Sequence, residues 1–127
     1  MDVFLPNDRE ATRITRSGGV IDALNILSSR VPTVVVKCGD KGAIGRSKNE
    51  TFKVKPIRIN PVDTTGAGDS FNAGFIYYFI CKGRSLKESM IFANALGALS
   101  CLYIGGAEKR ISEEDVLEFL KAHGFRA

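Results

Sequence analysis

Asp63-Thr64-Thr65-Gly66-Ala67-Gly68-Asp69-Ser70-Phe71 is the most informative stretch of the chain. Its Gly-Ala-Gly turn runs into a segment with Phe71, Phe75 and Phe79 at four-residue spacing, which reads as a helix. A turn placed there exposes backbone N–H groups that have no helical partner, and the helix dipole adds partial positive charge. Together these make a site for an anion. The glycines permit both the tight backbone and a close approach of anionic oxygens. Asp69 stands at the mouth of that site. A carboxylate beside a phosphate cradle repels the phosphate, so its placement asks for a reason. The economical one is a general base that takes a proton from a hydroxyl attacking a phosphoryl group. The plainer reading is a simple turn, with Asp69 a favourable negative charge in a first helical turn. Gly-Ala-Gly-Asp by itself does not separate the two.

Two familiar phosphate-binding patterns are excluded. A GxGxxG dinucleotide fingerprint fits Gly66 and Gly68 but then meets Phe71. A P-loop ends in Gly-Lys-Ser/Thr, and the chain contains no Gly-Lys pair.

Working outward, Val3-Phe4-Leu5 reads as a short buried strand, with a helix from Asp8 to about Thr15. A second helix spans Val20 to Ser29, with Ile21, Leu24 and Leu27 on one face. Thr33 to Val36 is a continuous β-branched run, the mark of a strand covered on both faces in a parallel sheet. Gly39 to Gly42 is a turn, and Ala43–Arg46 with Thr51–Lys55 form a hairpin around Ser47-Lys48-Asn49. Gly83 ends the helix that carries the phenylalanine stripe, which is expected to be core. Ser85 with Glu88 is a capping box opening a helix to about Tyr103, whose Ala93, Gly97 and Ser100 allow close packing. Gly105-Gly106 stops it. Ser112 to Asp115 repeats the pattern before a last helix to Ala122. Early strands and late helices predict an α/β layered domain.

The chain has 127 residues, room for one domain of normal size. Lys plus Arg exceeds Asp plus Glu by 18 − 14 = +4, with no run of five like charges. That suits a small anion and argues against a nucleic-acid arm. Between Lys37 and Arg58, seven basic residues face only Asp40 and Glu50, which reads as a solvated hairpin face that also raises the local potential for an anion. Cys38, Cys81 and Cys101 are widely spaced in apolar stretches without a CxxC pair, so buried thiols in a reducing, cytoplasmic setting are expected, not zinc. The first residues lack the pattern of a signal peptide. The longest apolar run, Ala73 to Cys81, is about half of what a membrane helix needs. His123, the single histidine, is given no catalytic role.

The full string Asp63 to Phe71 resembles the second signature of the ribokinase-like (PfkB-type) carbohydrate kinases. The resemblance implies an α/β ribokinase-like layered domain, mostly parallel sheet flanked by helices with a β-hairpin. It implies that Gly66, Ala67 and Gly68 supply the anion hole for the transferring phosphate and Asp69 the catalytic base. In potassium-dependent members, the positions of Asp63 and Thr65 lie at the monovalent-cation site. Asn7-Asp8-Arg9-Glu10 resembles the Asn-x-x-Glu element that organises Mg2+ and phosphates, with Glu10 acting through water. The same residues also fit a plain capping box. Val34 to Gly42 resembles the strand and Gly-x-x-Gly turn bordering the nucleotide, which assigns Lys37, Gly39 and Gly42 to cofactor binding. Phe92-Ala93-Asn94-Ala95 and Gly105-Gly106-Ala107 resemble the helix and loop that flank adenine, with Asn94 facing the nucleotide or satisfying a backbone group.

By this resemblance residues 1–127 form the C-terminal part of an ATP-dependent kinase acting on a sugar-like or nucleoside hydroxyl, with ATP/ADP, Mg2+ and K+ as the implied cofactors. The N-terminal sugar-binding part and lid find no match here, so the isolated chain is expected to be inactive. Exposed apolar surface, self-association into a homodimer, or union with the remaining part is the corollary. The alternative is a non-catalytic nucleotide-binding or assembly module that needs a partner chain. No nucleic-acid or membrane partner is expected.

Overall fold

Local chemistry is most visible at the hairpin. Strands β3 (Ala43–Ser47) and β4 (Glu50–Val54) are joined by Lys48 and Asn49, both left-handed at φ 49° and 68°. Two such residues make the turn whose twist matches that of the flanking strands. The computed structural model describes residues 2–61, 64, 66–102 and 111–124, which fall into two compact units, Met1–Pro56 and Ile57–Ala127.

The first unit holds β1 (Val3–Phe4), α1 (Asp8–Thr15), α2 (Val20–Ser28), β2 (Thr33–Lys37), a 3-10 turn (Gly39–Lys41) and the hairpin. The sheet runs in the order β1-β2-β3-β4. Strand β1 lies parallel to β2, with Val3 opposite Thr33, whereas β2–β3 and β3–β4 are antiparallel. Among the described residues the sheet is therefore mixed: the β1–β2 pairing and the Asn7–Lys37 bridge are parallel, and β3 pairs antiparallel with both β2 and β4. Val34 and Val36 join Ala11, Ala23, Leu24, Leu27 and Ile44 in one core. Val35 points to the opposite face and is equally buried, so β2 is covered on both sides as its sequence predicts. Each of these valines contributes about 1.5–3 kcal/mol by leaving water. The Thr33 and Ser47 hydroxyls bond each other at 2.7 Å, which satisfies two buried polar groups across the strands.

Ile21 departs from expectation. It is 56% exposed, while Ala23, Leu24 and Leu27 face the core. At about 100° per residue Ile21 lies roughly 120° from Leu27, outside the buried arc.

The second unit holds α3 (Ala67–Ile76), a π-helical turn (Tyr77–Cys81), α4 (Leu86–Ser100) and α5 (Glu113–Ala122). Gly83 follows the π turn at φ 64°. The wider turn shifts the buried stripe: Phe71 and Phe75 are buried as expected, but Phe79 is only half-buried and Tyr78 takes the inward position. Tyr78 stacks on Phe92 with ring centroids 3.9 Å apart. Val116, Phe119 and Leu120 of α5 complete that core. Both predicted capping boxes form, Ser85 with Glu88 and Ser112 with Asp115. Helix α4 ends at Ser100, short of Tyr103. Tyr103 and the Gly105-Gly106-Ala107 loop lie outside the described residues.

The small residues of α4 meet α3 closely. A Cβ on Gly74 would lie 3.2 Å from Ala93 Cα, so the two helices approach to backbone contact. The cysteines are not uniformly buried: Cys101 is buried, Cys38 half-buried and Cys81 exposed. Ile14, Ile21 and Ile26 in the first unit, and Ile76, Tyr77 and Ile80 in the second, are large apolar side chains left exposed. Among the described residues no helix is long and apolar enough to cross a membrane.

Candidate functional site

Helix α3 begins differently from three others in the chain. Asn7, Ser85 and Ser112 each cap their helix with a side-chain oxygen. The N-cap of α3 is Gly66, left-handed at φ 82°, and no side chain caps it. Backbone bonds hold the turn among the described residues: Ala67 N–H donates to Thr64 O at 3.2 Å and Ser70 N–H to Gly66 O at 2.9 Å. Gly66, Gly68 and Asp69 are exposed and Ala67 is half-buried. The structure thus brings the four residues into one exposed first turn, at the positive end of the helix dipole. Asp69 is the acidic residue of that turn. An anion approaching this turn would meet the Gly68 amide with the Asp69 carboxylate beside it, the Ala67 amide being bonded to Thr64 O. Asp63 and Thr65 lie outside the described residues.

The first unit gathers a second set. Asn7 forms a parallel bridge with Lys37, and Lys37 N–H donates to Pro6 O at 2.9 Å. Asn7, Glu10 and Lys37 therefore sit together at the carboxyl ends of β1 and β2, where open α/β sheets receive ligands. Asn7 Oδ1 accepts Glu10 N–H at 2.8 Å, and Glu10 Oε1 accepts Asn7 N–H at 2.9 Å. The capping-box geometry is thus real, and these bonds use one oxygen of each exposed side chain. Gly39 and Gly42 close the next turn at φ 57° and 89°, with Cys38 N–H donating to Gly42 O at 2.7 Å. A side chain on Gly42 would collide with the Val54 carbonyl oxygen.

Burial pushes the Cys38 thiol up, the nearby Asp8 carboxylate adds to this, and Lys53 and Lys41 oppose it. Lys41 and Lys53 thus both lie within electrostatic reach of Cys38, beside the glycine turn. Sequence reading counted them only within a basic stretch. The signal that was available is the register that sets Lys53 opposite Ile44 on the strand after the turn. Asn94 is half-buried on α4, in the other unit. A cavity of about 260 Å³ beside Tyr77, Phe92 and Val116 is lined by none of the candidate catalytic, cofactor or metal residues, although Phe92 belongs to the stretch that resembles the adenine-flanking helix.

Comparison with known proteins decides what this arrangement belongs to. The family model for the pfkB family carbohydrate kinases matches residues 1–113. The chain is a member of the pfkB family. This pfkB chain is 28% identical over 127 residues to the ribokinase of Haemophilus influenzae, covering 95% of itself and 41% of that protein. It superposes with a TM-score of 0.83 on the structure of Arabidopsis thaliana ribokinase complexed with ribose and ATP, at 29% identity, covering 95% of this chain and 41% of that one. A candidate ribokinase II from E. coli, solved with ATP and Mg2+, gives a TM-score of 0.85 at 30% identity, covering 97% of this chain and 40% of that one. The α/β ribokinase-like fold is therefore established for this pfkB chain, which spans about two fifths of the length of these relatives.

Proposed function

We propose that this chain supplies the ATP site, anion hole and catalytic base for phosphorylation of a sugar-like hydroxyl. The observation that carries the reading is the exposed first turn of α3, where a glycine N-cap without a side-chain partner adjoins Asp69 within the matched family region. In this reading the Gly66 and Gly68 amides, joined by the Ala67 amide once it leaves Thr64 O, stabilise charge developing on the transferring phosphoryl group. Asp69 accepts the proton of the attacking hydroxyl, at one carboxylate oxygen. Lys37, Gly39, Gly42 and Asn94 border the nucleotide, and Asn7 with Glu10 organises its phosphates.

Magnesium, when bound with ATP, neutralises phosphate charge and needs only one or two protein carboxylates. Glu10 fits that demand through water. By the family resemblance, Asp63 and Thr65 are assigned to a monovalent cation, K+. Free thiols suit a cytoplasmic setting.

The second reading, a nucleotide-binding or assembly module that needs a partner chain, draws on the limited span against relatives. Calorimetry with MgATP and a phosphorylation assay over a panel of sugars test both. Binding with turnover supports the kinase reading and contradicts an inactive isolated chain. Binding without turnover, restored by a complementing sugar-binding part, supports both the assignment and the incompleteness. No binding of MgATP sinks the proposal.

A further inference from the structure

Gly97 is buried on α4, and a Cβ placed on it would lie 3.3 Å from Ala67 O, 3.7 Å from Phe71 Cβ and 3.9 Å from Phe71 N. Its bare Cα therefore faces one peptide bond, that joining Ala67 to Gly68, with too little room between for a side chain. In the helix Ala67 O is the acceptor for the Phe71 amide four residues on. The peptide unit is planar and trans, so Ala67 C=O and Gly68 N–H point in opposite directions along one rigid plate. The carbonyl points into the helix and the amide points out of its open end. Whatever fixes the Ala67 oxygen fixes the aim of the Gly68 amide.

Gly97 is itself held. Its carbonyl oxygen accepts the Ser100 hydroxyl at 2.7 Å and the Cys101 thiol at 3.3 Å, both donors being buried. We propose that Gly97 is a positioning residue, which sets the direction of the Gly68 amide by seating α4 against the Ala67 carbonyl. The value of that direction to phosphoryl transfer rests on the function proposed above, and the geometric relation does not.

A Gly97→Ala substitution forces Ala67 O to give way by a few tenths of an ångström. The plate then tilts and Gly68 N–H swings off its line. The test is a 15N–1H spectrum of the labelled chain, wild type and variant, recorded with and without MgATP, together with titrations of MgATP and adenosine. The Gly68 resonance is expected to move more than the other α3 amides. Affinity for MgATP is expected to fall about tenfold, the worth of one charge-assisted hydrogen bond, with adenosine affinity unchanged.

Gly74→Ala is the control, because it crowds Ala93 and Leu96 at the same interface without reaching the first turn. It should lower stability and leave Gly68 in place. If both variants move Gly68 equally, or Gly97→Ala leaves it unmoved, the inference is overturned. If Gly68 moves but the wild type never responds to MgATP, the positioning relation holds and the functional reading fails. Ser100→Ala, which removes the shorter of the two side-chain bonds to the Gly97 carbonyl, is read by the same criterion should Gly97→Ala not fold.

Discussion

Asn7 and Glu10 bond each other twice at the start of α1, at 2.8 and 2.9 Å, so one pair of side chains carries both a structural task and a proposed metal-organising one. The two tasks separate by substitution. Asn7→Ala removes the cap and should cost about 1 kcal/mol in denaturant unfolding. Glu10→Gln keeps an oxygen able to accept the Asn7 amide but loses the charge. It should leave stability near wild type while weakening the Mg2+ dependence of ATP binding in calorimetry. Unchanged Mg2+ dependence would reduce Glu10 to a cap.

The glycine turn at Gly39–Gly42 makes a sharper claim. Gly42 combines φ 89° with a space already filled by the Val54 carbonyl. Gly42→Ala should destabilise by on the order of 3 kcal/mol, through strain plus displacement of the β4 end. Gly39 has the positive φ but open space around its Cα, so Gly39→Ala should cost less, about 1 kcal/mol. Equal costs in urea unfolding would contradict the assignment.

Much of this was legible in the chain itself. The β-branched run of β2, both capping boxes and the Lys48-Asn49 turn are local signals, and local physics reads them correctly. The direction of each pairing is not legible in β2 itself, because a covered strand reads alike whichever way its neighbours run. Phe79 was misjudged because no residue pattern announces a π turn, and one wider turn rotates everything after it. Ile21 failed by angle alone. At the candidate site, Gly66 to Asp69 follow from the motif. The service of Gly97 to that turn does not, since it depends on two helices meeting.

The thiols should separate by exposure and acidity. A soluble alkylating reagent at neutral pH should label Cys81 first, since it is exposed. Cys38 should follow slowly, because burial holds its thiol protonated. Cys101, buried and bonded to Gly97 O, should react only on unfolding. Peptide mapping by mass spectrometry checks the order, and early labelling of Cys38 would contradict its environment.

Lys82 Nζ meets Glu113 Oε1 at 3.0 Å and ties the π turn to the start of α5. The Lys82 hydrogen bond holds the Glu113 carboxyl below its usual range, and the same bond raises Lys82. A depressed carboxyl contributes stability above its unfolded pKa and loses it as pH falls through the folded value. A raised lysine contributes below its unfolded pKa and loses it as pH rises through the folded value. The deficit of Lys82→Met should therefore be present at neutral pH and fade both in acid and in strong alkali. It should also shrink with added salt, because the pair is near the surface. A deficit that grows as pH falls would contradict this sign.

The central claim is that Asp69 is the base beside a phosphate-binding turn. Its most direct test is steady-state phosphorylation by Asp69→Asn against wild type, in the polypeptide that unites this chain with a sugar-binding part, alongside calorimetry of MgATP. The account predicts turnover reduced by about 10²–10⁴-fold with nucleotide affinity retained. Turnover within a few-fold of wild type would contradict it.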